Sequence, residues 1–131
     1  MIVAERSEDP RHRLGRLGEA AAALALERAG LRVVERRYRR RVGEIDIIAE
    51  RGELLVFVEV KTRRNDRYGT PGEAITAGQR RRIARAAQAY LTRRGWLARR
   101  CRFDVVEVYA TEERVSRVRH IEGAFHLDRD P

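Results

Sequence analysis

Leu54-Leu55-Val56-Phe57-Val58-Glu59-Val60-Lys61 is an apolar run, rich in β-branched and aromatic residues, that ends in two opposite charges. It predicts a strand over Glu53–Thr62. Alternation sends Leu54, Val56, Val58 and Val60 to one face and Leu55, Phe57, Glu59 and Lys61 to the other. Glu59 and Lys61 are therefore neighbours on one face of a strongly apolar strand, where a charge is costly unless it is paired or binds a cation. Two readings meet here: a salt-bridged strand end with Lys61 reaching solvent, or a site built to handle charge.

The preceding segment, Glu44–Glu50, predicts a second strand, joined to the first by a tight turn at Arg51-Gly52. With two or four loop residues, Asp46 faces Phe57, Glu44 faces Glu59, and both carboxylates share the face of Glu59 and Lys61. A three-residue loop would reverse that parity. In the first case three carboxylates crowd one patch, which is unfavourable without a compensating cation. Oxygen ligands of this kind suit Mg2+ or Mn2+ rather than zinc.

The flanking segments supply helices and further strands. Arg11–Ala29 is helical in period, with Leu14, Leu17, Ala21, Leu24 and Ala25 at three- and four-residue steps and Gly30 placed to end it. Leu31–Tyr38 predicts a strand, and Thr62–Ile75 a polar loop. A second helix is predicted over Ala77–Arg94, opened by a capping box of Thr76 and Gln79, with Ile83, Ala86, Ala87, Tyr90 and Leu91 as its apolar stripe. Arg102–Tyr109 and Val115–Ile121 predict two more strands, with Thr111–Arg114 turning between them. The order αβββαβ, with one extra strand, describes a mixed α/β layered domain. No repeat or linker divides the 131 residues, so a single domain is expected, with residues 1–10 and 127–131 flexible.

Composition narrows the function. The chain carries 28 arginines and one lysine against 20 acidic residues, a formal net charge of +9. A small domain this basic points to nucleic acid, against the alternative of a solvated Arg-rich surface. No apolar stretch is long enough for a membrane span, and the charged N-terminal segment and lone Cys101 predict a cytoplasmic protein. Gly15-Arg16-Leu17-Gly18 precedes any strand and Gly69-Thr70-Pro71-Gly72 lacks a P-loop ending, so no nucleotide cofactor is expected. The three histidines lack metal-ligand spacing, and Asp104 reads as structural. Arg80, Arg81, Arg82 and Arg85 crowd the start of the second helix, against its dipole; with Arg63, Arg64 and Arg67 they form a candidate nucleic-acid track.

A helix carrying Glu19, followed by Gly43-Glu44-Ile45-Asp46 and then Val58-Glu59-Val60-Lys61, resembles the PD-(D/E)XK nuclease signature. The chain is more closely similar to the bacterial YraN family, regarded as predicted endonucleases akin to archaeal Holliday-junction resolvases. The similarity runs from about Leu14 to the strand beginning Arg102-Phe103-Asp104. It implies a restriction-endonuclease-like αβββαβ core, a mixed sheet flanked by helices. It also implies Asp46, Glu59 and the Val60 carbonyl as holders of Mg2+ or Mn2+. Lys61 would orient or help deprotonate the attacking water, and Glu19 would contact the metal indirectly. Glu44 and Gln79 are additional candidates, although Gln79 is already explained by its capping role.

The lone lysine stands where the motif requires one. An arginine is effectively never deprotonated, whereas a lysine in a dry pocket can exchange a proton. The expected function is metal-dependent endonuclease hydrolysis of DNA, including branched or recombination intermediates, with a homodimer implied only by the resemblance. The alternative is a nucleic-acid-binding module on the same fold without cleavage; a protein-interaction domain with incidental charge comes third.

Overall fold

The computed structural model describes residues 9–64, 75–111 and 113–126. Helix α1 spans Pro10–Arg28, capped by the Asp9 side chain on the N–H of Arg11. Strands β1 (Arg32–Arg40), β2 (Gly43–Arg51) and β3 (Leu54–Arg63) follow. Helix α2 (Ala77–Arg94) then precedes β4 (Cys101–Ala110) and β5 (Val115–Phe125). The five strands form one mixed sheet in the order β1-β2-β3-β4-β5, antiparallel except for the parallel β3–β4 pair. The architecture is α/β and consistent with the αβββαβ restriction-endonuclease-like core, with β5 as the extra strand. The parallel pair follows from α2, which supplies the crossover that such a pair needs.

β3 carries the core because both its faces are covered. Leu55 and Phe57 pack with Ile83, Ala86, Ala87 and Tyr90 of α2. Val56 and Val58 pack with Ala22, Ala23 and Leu26 of α1. The two helices therefore lie on opposite faces of the sheet. Each fully buried aliphatic or aromatic side chain here contributes roughly 1.5–3 kcal/mol. The predicted capping box forms as expected: Thr76 Oγ1 accepts from the Gln79 N–H, and Gln79 Oε1 accepts from the Thr76 N–H. Among the described residues no helix is long and apolar enough to cross a membrane.

The β2–β3 register corrects the expected pairing. The turn residues are Gly52 and Glu53, so Arg51 pairs with Leu54 and Ile48, not Asp46, faces Phe57. The shift is two residues, which preserves side-chain parity. Continuing the register brings Asp46, rather than Glu44, level with Glu59. The shared face assigned to Asp46 also needs correction, because β2 does not alternate strictly: Ile45 and Ile48 face α2, whereas Ile47 faces α1. The change of face falls at Asp46.

Candidate active site

The site forms where β2 and β3 part. Their ladder runs from Arg51–Leu54 to Ile47–Val58. Beyond it, the Asp46 carboxylate takes the place of a backbone acceptor: Val60 N–H donates to Asp46 Oδ2 at 2.8 Å. Because the N–H and C=O of a strand residue point toward the same neighbour, the Val60 carbonyl also opens toward Asp46. Two glycines let the helices close on this point. A Cβ at Gly18 would lie 1.9 Å from Thr62 Oγ1, and one at Gly43 would lie 1.9 Å from the Arg82 carbonyl oxygen. Their absence seats α1 on the end of β3 and the first turns of α2 on the start of β2.

Glu59 and Lys61 sit side by side on the α2 face, half-buried, with Lys61 Nζ 3.6 Å from Glu59 Oε1. Burial raises the Glu59 carboxyl to about 8, aided by the adjacent Asp46 charge and opposed by Lys61. Burial likewise pushes Asp46 above the usual carboxylate range. Hydrogen bonds from the Val60 N–H and with Glu59 oppose that rise, and the charges of Glu19 and Glu44 add to it. The two acids thus interact, and Glu59 is the one pushed toward keeping its proton near neutral pH. Displacing that proton leaves anionic oxygen beside a backbone carbonyl.

These groups fit a hard divalent cation. Among the described residues no three His, Cys, Asp or Glu side chains gather into a metal cage. Two carboxylates and a carbonyl are nevertheless the sparse oxygen set that Mg2+ uses, its remaining positions being taken by water and substrate phosphate.

The other candidates divide around this pair. Glu19 is largely buried and pairs with Arg37, whose Nε lies 3.1 Å from Glu19 Oε2. Glu19, Asp46, Val60 and Thr62 line a cleft of about 540 Å3 on the α1 side. Glu44, Glu59, Gln79 and Arg82 line a small cavity of about 40 Å3 on the α2 side. Asp46 belongs to one and Glu59 to the other. Glu44 is exposed and 3.8 Å from Arg39.

Arg80, Arg81, Arg82 and Arg85 are all exposed on α2, whose first turn has no acid. Arg63 instead turns onto the buried Glu107, with Nε 3.6 Å from Oε2. Arg64 is exposed, and Arg67 lies outside the described residues. Asp104 is structural, as expected: it is fully buried and accepts from Arg102 and the Gly123 N–H, with His120 Nε2 at 2.7 Å. Trp96 stacks on Arg99, which holds the Gly52 turn at the other end of β3.

Two groups escaped the sequence reading. Glu107 stands beside Lys61 in the β3–β4 register, and its Oε1 has no hydrogen-bond partner among the described residues. Its odd position in β4, beside Phe103 and Val105 of the α2-facing core, was the available signal. The second group is the basic wall of the α1 cleft, Arg11, Arg16, Arg37 and Arg39. Nothing local in the sequence distinguishes these arginines from the others.

Fold and site together define an α/β domain with a carboxylate–lysine cluster at the parting of two strands. A family described as "Uncharacterised protein family UPF0102" matches residues 18–108, and the chain belongs to it, as the YraN resemblance anticipated. It is 55% identical to a UPF0102 protein of Symbiobacterium thermophilum over 114 residues, covering 87% of this chain and 97% of that one. It is 50% identical to a UPF0102 protein of Moorella thermoacetica over 116 residues, covering 88% and 97% of the two chains. A Geobacter sulfurreducens relative is 47% identical over 114 residues, covering 87% and 89%.

Proposed function

We propose that this protein is a metal-dependent endonuclease of the PD-(D/E)XK type, hydrolysing DNA phosphodiester bonds, branched or recombination intermediates among them. One observation carries the reading: two half-buried acids lie beside Val60, Asp46 held by the Val60 N–H at 2.8 Å and Glu59 3.6 Å from Lys61 Nζ. A structural ion pair needs one acid for one base, whereas this cluster has a second acid whose charge a bound cation would compensate.

Asp46, Glu59 and the Val60 carbonyl would hold Mg2+ or Mn2+. When bound, the ion would acidify water and neutralise charge on the phosphate. Lys61, held by Glu59, would orient the attacking water and donate to the phosphate oxygen on which charge develops. The hydrogen bond from Val60 N–H fixes Asp46, so one carboxylate is preorganised at no cost when substrate arrives. A two-fold pair of chains would suit symmetric cutting of two strands.

The exposed arginines of α2 favour a second reading, a nucleic-acid-binding module without cleavage. Binding alone needs no acidic pair, and acids in the same patch repel phosphate. The test is incubation of linear, flapped and four-way DNA with Mg2+ or Mn2+, using wild type, Asp46→Asn and Glu59→Gln. Metal-dependent cutting by wild type and its loss in both variants is expected. Salt-sensitive binding without cutting of any substrate would favour the module, and equal cutting by all three would refute the site.

A further inference from the structure

Arg37 alone among the described arginines combines three properties. It has a left-handed backbone, φ 54°, the one positive φ among the described non-glycine residues. It lies within β1 between the pairs Arg36–Ile47 and Tyr38–Ile45, which sets it across from Asp46. It also lines the cleft that contains Asp46 and Val60.

A left-handed residue inside a strand is unfavourable for any side chain with a Cβ, and for arginine no local hydrogen bond compensates as it does for asparagine. Such strain persists where the fold imposes it, commonly at sites of function. Here it coincides with the change of face in β2 at Asp46, so the two irregularities oppose each other across the ladder.

The Glu19 pairing shows how the guanidinium is used. Glu19, largely buried on α1, accepts from Nε of Arg37 at 3.1 Å. The Arg37 side chain is otherwise half exposed, opening on the cleft. One edge of the guanidinium is therefore anchored by an acid, and a guanidinium fork matches a phosphate. Arg11, Arg16 and Arg39 line the same cleft, so the acidic floor at Asp46 has a basic wall.

We propose that Arg37 is a substrate-binding residue, its guanidinium taking a backbone phosphate of the DNA strand that enters the α1 cleft toward Asp46, with Glu19 as its positioning residue. The inference rests on the nuclease reading and deepens it. It moves the substrate path to the α1 side, whereas the sequence had pointed to the arginines of α2. Glu19 then acts through Arg37, a role different from the indirect metal contact implied by family resemblance.

The backbone supplies an unusually clean test. Arg37→Gly and Arg37→Asn both suit a left-handed position, so they remove the guanidinium without straining the backbone. Binding of fluorescein-labelled duplex and four-way DNA is measured by anisotropy over a salt series, with Ca2+ present in place of Mg2+. Both variants should remain folded in thermal melts, the relief at the backbone offsetting the ion pair lost at Glu19. Both should bind about tenfold or more weakly, with the log–log salt slope smaller by about 0.9. Arg37→Lys should retain the wild-type slope. Unchanged affinity and slope in Arg37→Gly and Arg37→Asn would overturn the assignment while leaving the nuclease reading intact. Absence of salt-dependent DNA binding by wild type would overturn the functional reading, and this inference with it.

Discussion

Replacing Glu59 with glutamine probes the electrostatics of the site independently of any substrate. In the metal-free protein the Glu59 carboxyl is raised from 4.5 to about 8, chiefly by burial and then by the Asp46 charge. Below the unfolded value both states hold the proton, and the group contributes nothing to pH dependence. Between 4.5 and about 8 the unfolded chain has released a proton that the folded chain retains, so stability falls as pH rises. The slope is at most about 1.4 kcal/mol per pH unit, and by pH ~7.5 the accumulated cost is on the order of 4 kcal/mol. Glutamine resembles the protonated acid in shape and cannot ionise, so it removes this cost. In a chelator, thermal melts of wild type should lose stability from pH ~5 to ~8, and Glu59→Gln should melt higher at the alkaline end by on the order of 10 °C. Millimolar Mg2+ should stabilise wild type but not the variant. Parallel pH profiles for the two proteins, or a variant less stable than wild type at pH ~8, would refute the reasoning.

Other perturbations separate packing from chemistry. Asp104→Asn should cost roughly 3–5 kcal/mol in urea unfolding, because it breaks a buried network with Arg102, His120 and the Gly123 N–H. Burial raises the Asp104 carboxyl, but those hydrogen bonds outweigh it and hold it below 3.8. Its stabilisation is therefore complete above the unfolded value and is lost as pH falls through the folded one, opposite in sign to Glu59. Gly43→Ala should destabilise by about 1–3 kcal/mol or more in the same assay, since the new methyl meets a backbone oxygen of α2 that cannot swing away. Lys61→Arg should keep DNA affinity in anisotropy yet reduce single-turnover cleavage by about a hundredfold or more, because arginine holds its proton and misplaces its donors. Undiminished cleavage would make Lys61 a simple ion-pair partner.

Much of this was readable because the signals were local. The alternation of β3 survives folding because α1 covers Val56 and Val58 while α2 covers Leu55 and Phe57. The bounds of α2 matched because Thr76 and Gln79 satisfy each other's backbone groups within one turn. The β2–β3 register was displaced because Arg51-Gly52 and Gly52-Glu53 are both acceptable two-residue turns, and alternation distinguishes only odd shifts from even ones. The change of face at Asp46 and the left-handed Arg37 carry no local mark, since neither is glycine. Glu107 joins the site face through the parallel β3–β4 pairing, a contact more than 40 residues apart in sequence that no local pattern encodes. The acids and the lysine were legible, but the basic cleft wall that faces them was not.

The central claim is that Asp46 and Glu59 are paired to take up a divalent cation. Mn2+ titration of the full chain near neutral pH, followed by electron paramagnetic resonance with proton release recorded in parallel, tests it most directly. The account predicts one bound ion per chain and about one proton released as Glu59 ionises, with both signals lost in Asp46→Asn. Failure of wild type to bind Mn2+ at millimolar concentration, or equal binding by Asp46→Asn, would contradict it.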